Sequence, residues 1–163
     1  MPIKRNAHIM PLSRDHHSGL LFGWKIKEGV KKEIAFSRIN EYIGFFWKAH
    51  LRNHFQDEEH LLFCLLDNEL IQKAKREHQE LEAWFVKAEN NELGSNDEYI
   101  RFVELLISHI RFEERELFPC LESELSPETL AHVGEALTKS HQQPYTELYE
   151  DEFWVDKENQ KHL

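Results

Sequence analysis

The segment His54-Phe55-Gln56-Asp57-Glu58-Glu59-His60-Leu61-Leu62-Phe63 recurs 55 positions later as His109-Ile110-Arg111-Phe112-Glu113-Glu114-Arg115-Glu116-Leu117-Phe118. The shared residues are His, Glu, Glu, Leu and Phe. A histidine and a glutamate four apart on a helix project from one face, one turn apart. Imidazole nitrogen with carboxylate oxygen suits iron, zinc or manganese, whereas copper(I) and iron–sulfur clusters want sulfur. Both pairs lie in apolar stripes, Ile39, Ile43, Trp47, Leu51, Leu62 and Leu65 for the first, Phe102, Leu106 and Leu117 for the second. Both should therefore point inward, where a carboxylate is costly unless paired or bound to metal. His78, between Ala74 and Leu81, and the adjacent His16 and His17 sit on two further stripes. Four histidines and two glutamates, drawn from four helices, make the kind of ligand set that holds two metals in a helical bundle.

His16 shares a face with Leu12, Leu20, Gly23 and Val30, and His17 with Leu20, Leu21 and Trp24. Small Gly19 and Gly23 flank the His16 side and favour His16 as the ligand, with His17 the alternative. His50 and His60 are expected to support the ligands or to lie at the surface. His8, His132, His141 and His162 fall outside the four-helix pattern and carry no assigned role. Glu59 and Glu114 lie about 100° round from the ligands; they are read as solvated, with support of a ligand as the alternative. Cys64 and Cys120 lack a CxxC partner and are read as small buried apolar residues.

Four long helices must position these residues. The first is expected to start at Leu12–Asp15 with Ser13 as N-cap and to end near Gly29. The second runs over about 32–67, the third over 69–89 and the fourth over 97–122, with Asn90–Asn96 as the clearest loop. Ser126-Pro127-Glu128 reads as the start of a shorter fifth helix that fades near His141. The last 20 or so residues, polar and acidic around Phe153-Trp154, form a tail or a packed arm. The predicted fold is all-α: an antiparallel up-down-up-down four-helix bundle with an additional short C-terminal helix and tail. The whole chain, 1–163, is expected to be one domain, with a metal-binding core over about 12–122 and the C-terminal helix and tail over 126–163.

The composition agrees. The 163 residues carry 30 acids against 20 bases, a formal charge of −10, which argues against a nucleic-acid partner. No apolar run approaches the roughly 20 residues of a membrane span, and the basic start lacks the apolar stretch of a secretory leader. Two cysteines fit a reducing compartment, so the expected location is cytoplasmic. Eleven histidines in an acidic helix-forming chain again point to metal. Protein partners are left open.

With these residues in view, the chain resembles the hemerythrin-like (HHE cation-binding) domains. The motifs are Asp15-His16-His17, His54-x-x-x-Glu58-Glu59, Glu77-His78, and His109-x-x-x-Glu113-Glu114 leading into Leu117-Phe118-Pro119. The resemblance covers about 12–122. It implies a four-helix bundle around two non-haem iron ions with an oxo or hydroxo bridge; zinc or manganese are the alternative metals. It implies His16 (or His17) and His54 on one iron, His78 and His109 on the other, and Glu58 and Glu113 as bridges. The oxygen-carrying members have His-x-x-x-His on the third helix, whereas here Ala74 and Glu82 flank His78 at four-residue spacing. The set is closer to the branch linked to iron–sulfur-cluster repair under nitrosative stress and to iron sensing. That branch often has an extra cysteine-bearing N-terminal domain, and none is expected ahead of the motifs here. The expected function is to bind, sense or react with O2 or NO as small-molecule ligand, or to handle iron. The rivals are oxygen or peroxide activation as an enzyme, oxygen carriage, iron storage or delivery, and a structural bundle with zinc or no metal.

Overall fold

A computed structural model of the chain describes residues 4–156. His162 lies outside the described residues. A 3-10 turn over Ala7–Ile9, capped by the Asn6 side chain on the His8 N–H, leads into α1, Met10–Lys31. The helix starts ahead of the expected position because Pro11 fits its first turn, where a missing N–H costs nothing. Ser13 is therefore inside α1 and caps nothing. Gly29 is also inside the helix rather than beyond its end. Its small size is needed for packing, since a Cβ there would lie 2.6 Å from the Phe153 ring. Glu33, at φ 56°, turns the chain into α2.

Helix α2 spans 36–65. It joins α-helical segments Phe36–Phe46 and Arg52–Asp57 through a π turn over Trp47–Leu51, and ends in a second π turn, Glu58–Leu62, and a 3-10 turn, Phe63–Leu65. Helix α3, Glu69–Glu89, starts where the Asn68 side chain accepts from the Ile71 N–H. Helix α4 spans 96–124, with Ser95 capping Glu98 and a π turn over Glu113–Leu117. Helix α5, Pro127–Ser140, starts as expected, with Ser126 accepting from the Thr129 N–H and Pro127 in the first turn. Among the described residues there is no strand. No helix is long and apolar enough to cross a membrane.

Helix α1 lies along α4 and α2 along α3, while α3 also packs on α4 and α1 on α2. This helical bundle has two apolar cores. One is built around Phe22, Tyr42, Phe46, Phe85 and Phe102, the other around Leu12, Leu62, Phe63, Leu117 and Phe118. Along all four helices the histidines and inner glutamates fall between the two. Each π turn accommodates one residue more than an α turn and shifts the buried face. That shift buries Phe63 and leaves Leu65, expected in the stripe, 40% exposed. Cys64 is exposed and Cys120 half-buried, so neither is the buried apolar residue expected. The C-terminal segment is a packed arm: Phe153 and Trp154 are buried, and Trp154 lies 5.0 Å from the Tyr42 ring. Arg38 grips Asp151 through two nitrogens, at 2.8 and 2.5 Å.

Candidate metal centre

The structure places His16, His54, Glu58, His78, His109 and Glu113 together, each no more than 4% exposed. His17 is exposed and stands apart: one residue step turns it about 100° out of the bundle. The glycines explain which face of α1 turns inward. A Cβ on Gly19 would lie 2.9 Å from Ile110, and one on Gly23 3.0 Å from Val103, so α1 approaches α4 closely only on the His16 side. Glu82 is exposed, and Ala74 is buried but cannot ligate.

Glu58 and Glu113 each open a π turn, and the Glu58 N–H reaches the carbonyls of both His54 and Phe55. Such turns are rare and are frequent at functional sites. His54 Nε2 lies 2.9 Å from Glu58 Oε1, and His109 Nε2 lies 2.5 Å from Glu113 Oε1. His78 Nε2 is 3.4 Å from Oε1 of both glutamates, and His16 Nε2 is 3.1 Å from Glu113 Oε2. The atoms form two quartets, His16, His54, Glu58, Glu113 and Glu58, His78, His109, Glu113; within each, all ligand atoms lie within 4.8 Å of one another. The four Nε2 atoms and all four oxygens of the two glutamates are buried without a properly aligned hydrogen-bond partner. A fold that leaves eight such atoms facing one another requires something between them. Two metal ions fit that donor set.

The opposite nitrogen of every histidine is held by a carboxylate. His16 Nδ1 meets Glu114 at 2.7 Å, His54 Nδ1 meets Asp15 at 3.0 Å, His78 Nδ1 meets Glu59 at 2.8 Å and His109 Nδ1 meets Glu77 at 2.9 Å. An ionised carboxylate only accepts, so each Nδ1 carries the proton and each Nε2 turns a lone pair inward when the ring is neutral. The pairing runs in a ring: α1 supplies the acid for α2, α2 for α3, α3 for α4 and α4 for α1. Glu59 and Glu114, read from sequence as solvated with support of a ligand as the alternative, are thus partners of His78 and His16. Asp15-His16 and Glu77-His78 are related by an offset of 62 residues, as α2 and α4 are by 55. The aromatic neighbours follow the same symmetry, with Phe118 on His16 and Phe63 by His78, both at 5.4 Å between centroids.

His141, which the four-helix pattern leaves without a role, lies with its Nε2 2.8 Å from the Asp15 oxygen that accepts from His54. His50 is buried beside the same carboxylate, 3.8 Å from Asp15 Oδ1, and stacks on Tyr145 at 4.1 Å; His60 is exposed. The only sequence signal for His141 is its place just past the end of α5. A cavity of about 160 Å³, lined by Asp15, His50, His54, Asp57, His141 and Tyr145, brings this flank of the centre to the surface.

The carboxylates favour positive charge at the histidines. Burial opposes a charged His54, but the Glu58 charge and the Asp15 hydrogen bond outweigh it and lift its pKa to about 10. Burial likewise opposes charge on His16, and Glu113 and Glu114 overcome it, to about 8. His78 and His109 are raised against burial as well, His78 well above its ordinary value. Glu113 is driven well below the carboxylate range despite burial, chiefly by His109. Protons or metal ions can supply that charge, and metal binding must displace the protons.

The hemerythrin HHE cation-binding domain family matches residues 11–121. The chain belongs to this family. No curated protein and no solved structure matches it. The HHE match spans the four ligand-bearing helices except for the first residue of α1 and the last turn of α4, while Arg5, α5 and the C-terminal arm lie outside it.

Proposed function

We propose that this HHE protein holds two non-haem iron ions and binds, senses or reacts with O2 or NO. The observation that carries the reading is the set of eight buried, unpartnered donor atoms arranged as two quartets sharing Glu58 and Glu113. His16 and His54 would hold one ion, His78 and His109 the other, and the two glutamates both, with an oxo or hydroxo bridge completing the pair. Iron so held supplies one-electron redox change and positions for a diatomic ligand. The chain's own residues do the rest. The Nδ1–carboxylate bonds fix the tautomer and aim each Nε2. Phe55, stacked on His78 at 3.9 Å, and the two flanking apolar cores keep water from the ligands.

With Ala74 and Glu82 out of the ligand set, each ion has two imidazoles, so neither is fixed by a third. That near-symmetry favours oxidation on contact with O2 over reversible carriage. The same reading takes α1–α4 as an antiparallel up-down-up-down bundle in one domain, 1–163, working in the reducing cytoplasm, where two free cysteines persist. The test is to mix anaerobically reduced, iron-loaded protein with NO and, separately, with O2, and follow the visible spectrum. A saturable change with NO, or oxidation that removing O2 does not reverse, supports the reading. No change with either gas overturns it and leaves iron storage or delivery; O2 uptake that reverses marks a carrier.

A further inference from the structure

We infer that the two metal positions are unequal, and that Arg5 and His141 make the His16–His54 position the tightly held one. The inference rests on the two-metal reading above. The inner ligands are near-symmetric, so the difference must come from what holds the outer carboxylates. Asp15, which orients His54, receives a second hydrogen bond from His141 Nε2 at 2.8 Å. Glu114, which orients His16, receives Arg5 Nη2 at 2.9 Å on its side chain, and the same nitrogen at 2.6 Å on its backbone carbonyl. Arg5 is itself buried, paired with Glu122, and lies 5.2 Å over the Phe118 ring that stacks on His16.

The other half has no such hold. Among the described residues, Glu59 and Glu77 make no hydrogen bond or ion pair except to His78 and His109. The Glu59 side chain is 41% exposed, where Asp15 is 9% exposed. Phe55 packs on His78, but it fixes the ring plane and leaves the acceptor free to move. Both braces come from outside residues 11–121, so the segments flanking the family domain tighten one half of its centre. Arg5 and His141 are thus positioning residues that act on the metal through Glu114 and Asp15. The His78–His109 position is the one that exchanges.

The experiment loads the full chain with ferrous iron anaerobically and follows release to an excess of chromogenic chelator. Wild type is expected to release two equivalents in two phases of one each. H141A and R5A should each speed the slow phase by up to about 10-fold, below the roughly 10- to 100-fold cost of losing a group that orients a ligand directly, and leave the fast phase unchanged. H141Q, which still donates to Asp15, should keep the slow phase near wild type, which a merely structural defect would not allow. H78A should hold one iron that leaves at the slow rate. A single release phase in wild type, a slow phase unmoved by both H141A and R5A, or fast release from H78A would overturn the inference. Should R5A fold poorly by circular dichroism, the H141A and H141Q pair decides alone. Failure of wild type to load two irons overturns the two-metal reading instead, whereas two irons that load and leave together overturn only this inference.

Discussion

Each inner ligand has a distinct consequence when removed. Glu58 and Glu113 belong to both quartets, whereas each histidine belongs to one. Glu113→Ala or Glu58→Ala should drop metal content from two per chain towards zero, because both ions lose a ligand and their mutual repulsion is less neutralised. His78→Ala should leave about one. Metal analysis of purified variants decides it, and two full equivalents in Glu113→Ala would remove the bridging role. On α1, His16→Ala should lose metal and His17→Ala should retain both ions; the reverse would mean that α1 is turned the other way in solution. The inner set was legible in sequence because His-x-x-x-Glu is a within-helix relation, repeated in register. The acids behind the histidines were not, because each reaches across to a different helix: His54 and Asp15 are 39 residues apart, and His141 and Asp15 are 126 apart. Adjacent acids such as Asp15 and Glu77 were visible as residues but not as partners.

Among the elements, α3 and the start of α5 fall where caps and periodicity placed them, whereas α1 begins ahead of Ser13 and runs past Gly29, and α2 covers 36–65 rather than the expected 32–67. The π turns were not legible, because a local insertion leaves no mark in composition and shows only as a shifted stripe, as at Phe63 and Leu65. Gly29 shows the same limit: glycine near a helix end reads as a stop, yet here it makes room for the arm. Its replacement tests this. Gly29→Ala would put a Cβ 2.6 Å from the Phe153 ring, while Gly94 has nothing within 4 Å and is not in a left-handed conformation. Gly29→Ala should destabilise the fold by about 1–3 kcal/mol through overpacking. Gly94→Ala should be neutral or stabilising by up to about 1 kcal/mol. Urea unfolding compares the two, and equal effects would show that the arm is not packed on α1 as described.

At the scale of the whole molecule, charge couples the centre to stability. His16 and His54 titrate near 8 and 10 in the fold, above their ordinary 6.5. Their protonation therefore stabilises the metal-free fold below pH 6.5, and that contribution is lost as pH rises through 8 and then 10. Metal binding needs the same nitrogens unprotonated and is favoured in the same direction. The gap in Tm between metal-loaded and metal-free protein should widen between pH 6.5 and 9, and loading should release protons, seen by calorimetry in buffers of different ionisation enthalpy. A gap that narrows with rising pH would contradict the assignment of Nε2 as the metal-facing atom.

The two-ion centre itself is tested most directly by total-metal analysis of the purified protein together with its electronic spectrum. Two irons per chain and a yellow to brown protein with ferric near-ultraviolet absorption are expected. A colourless protein carrying zinc or no metal, or one that takes up only a single ion under iron excess, would contradict the two-ion centre.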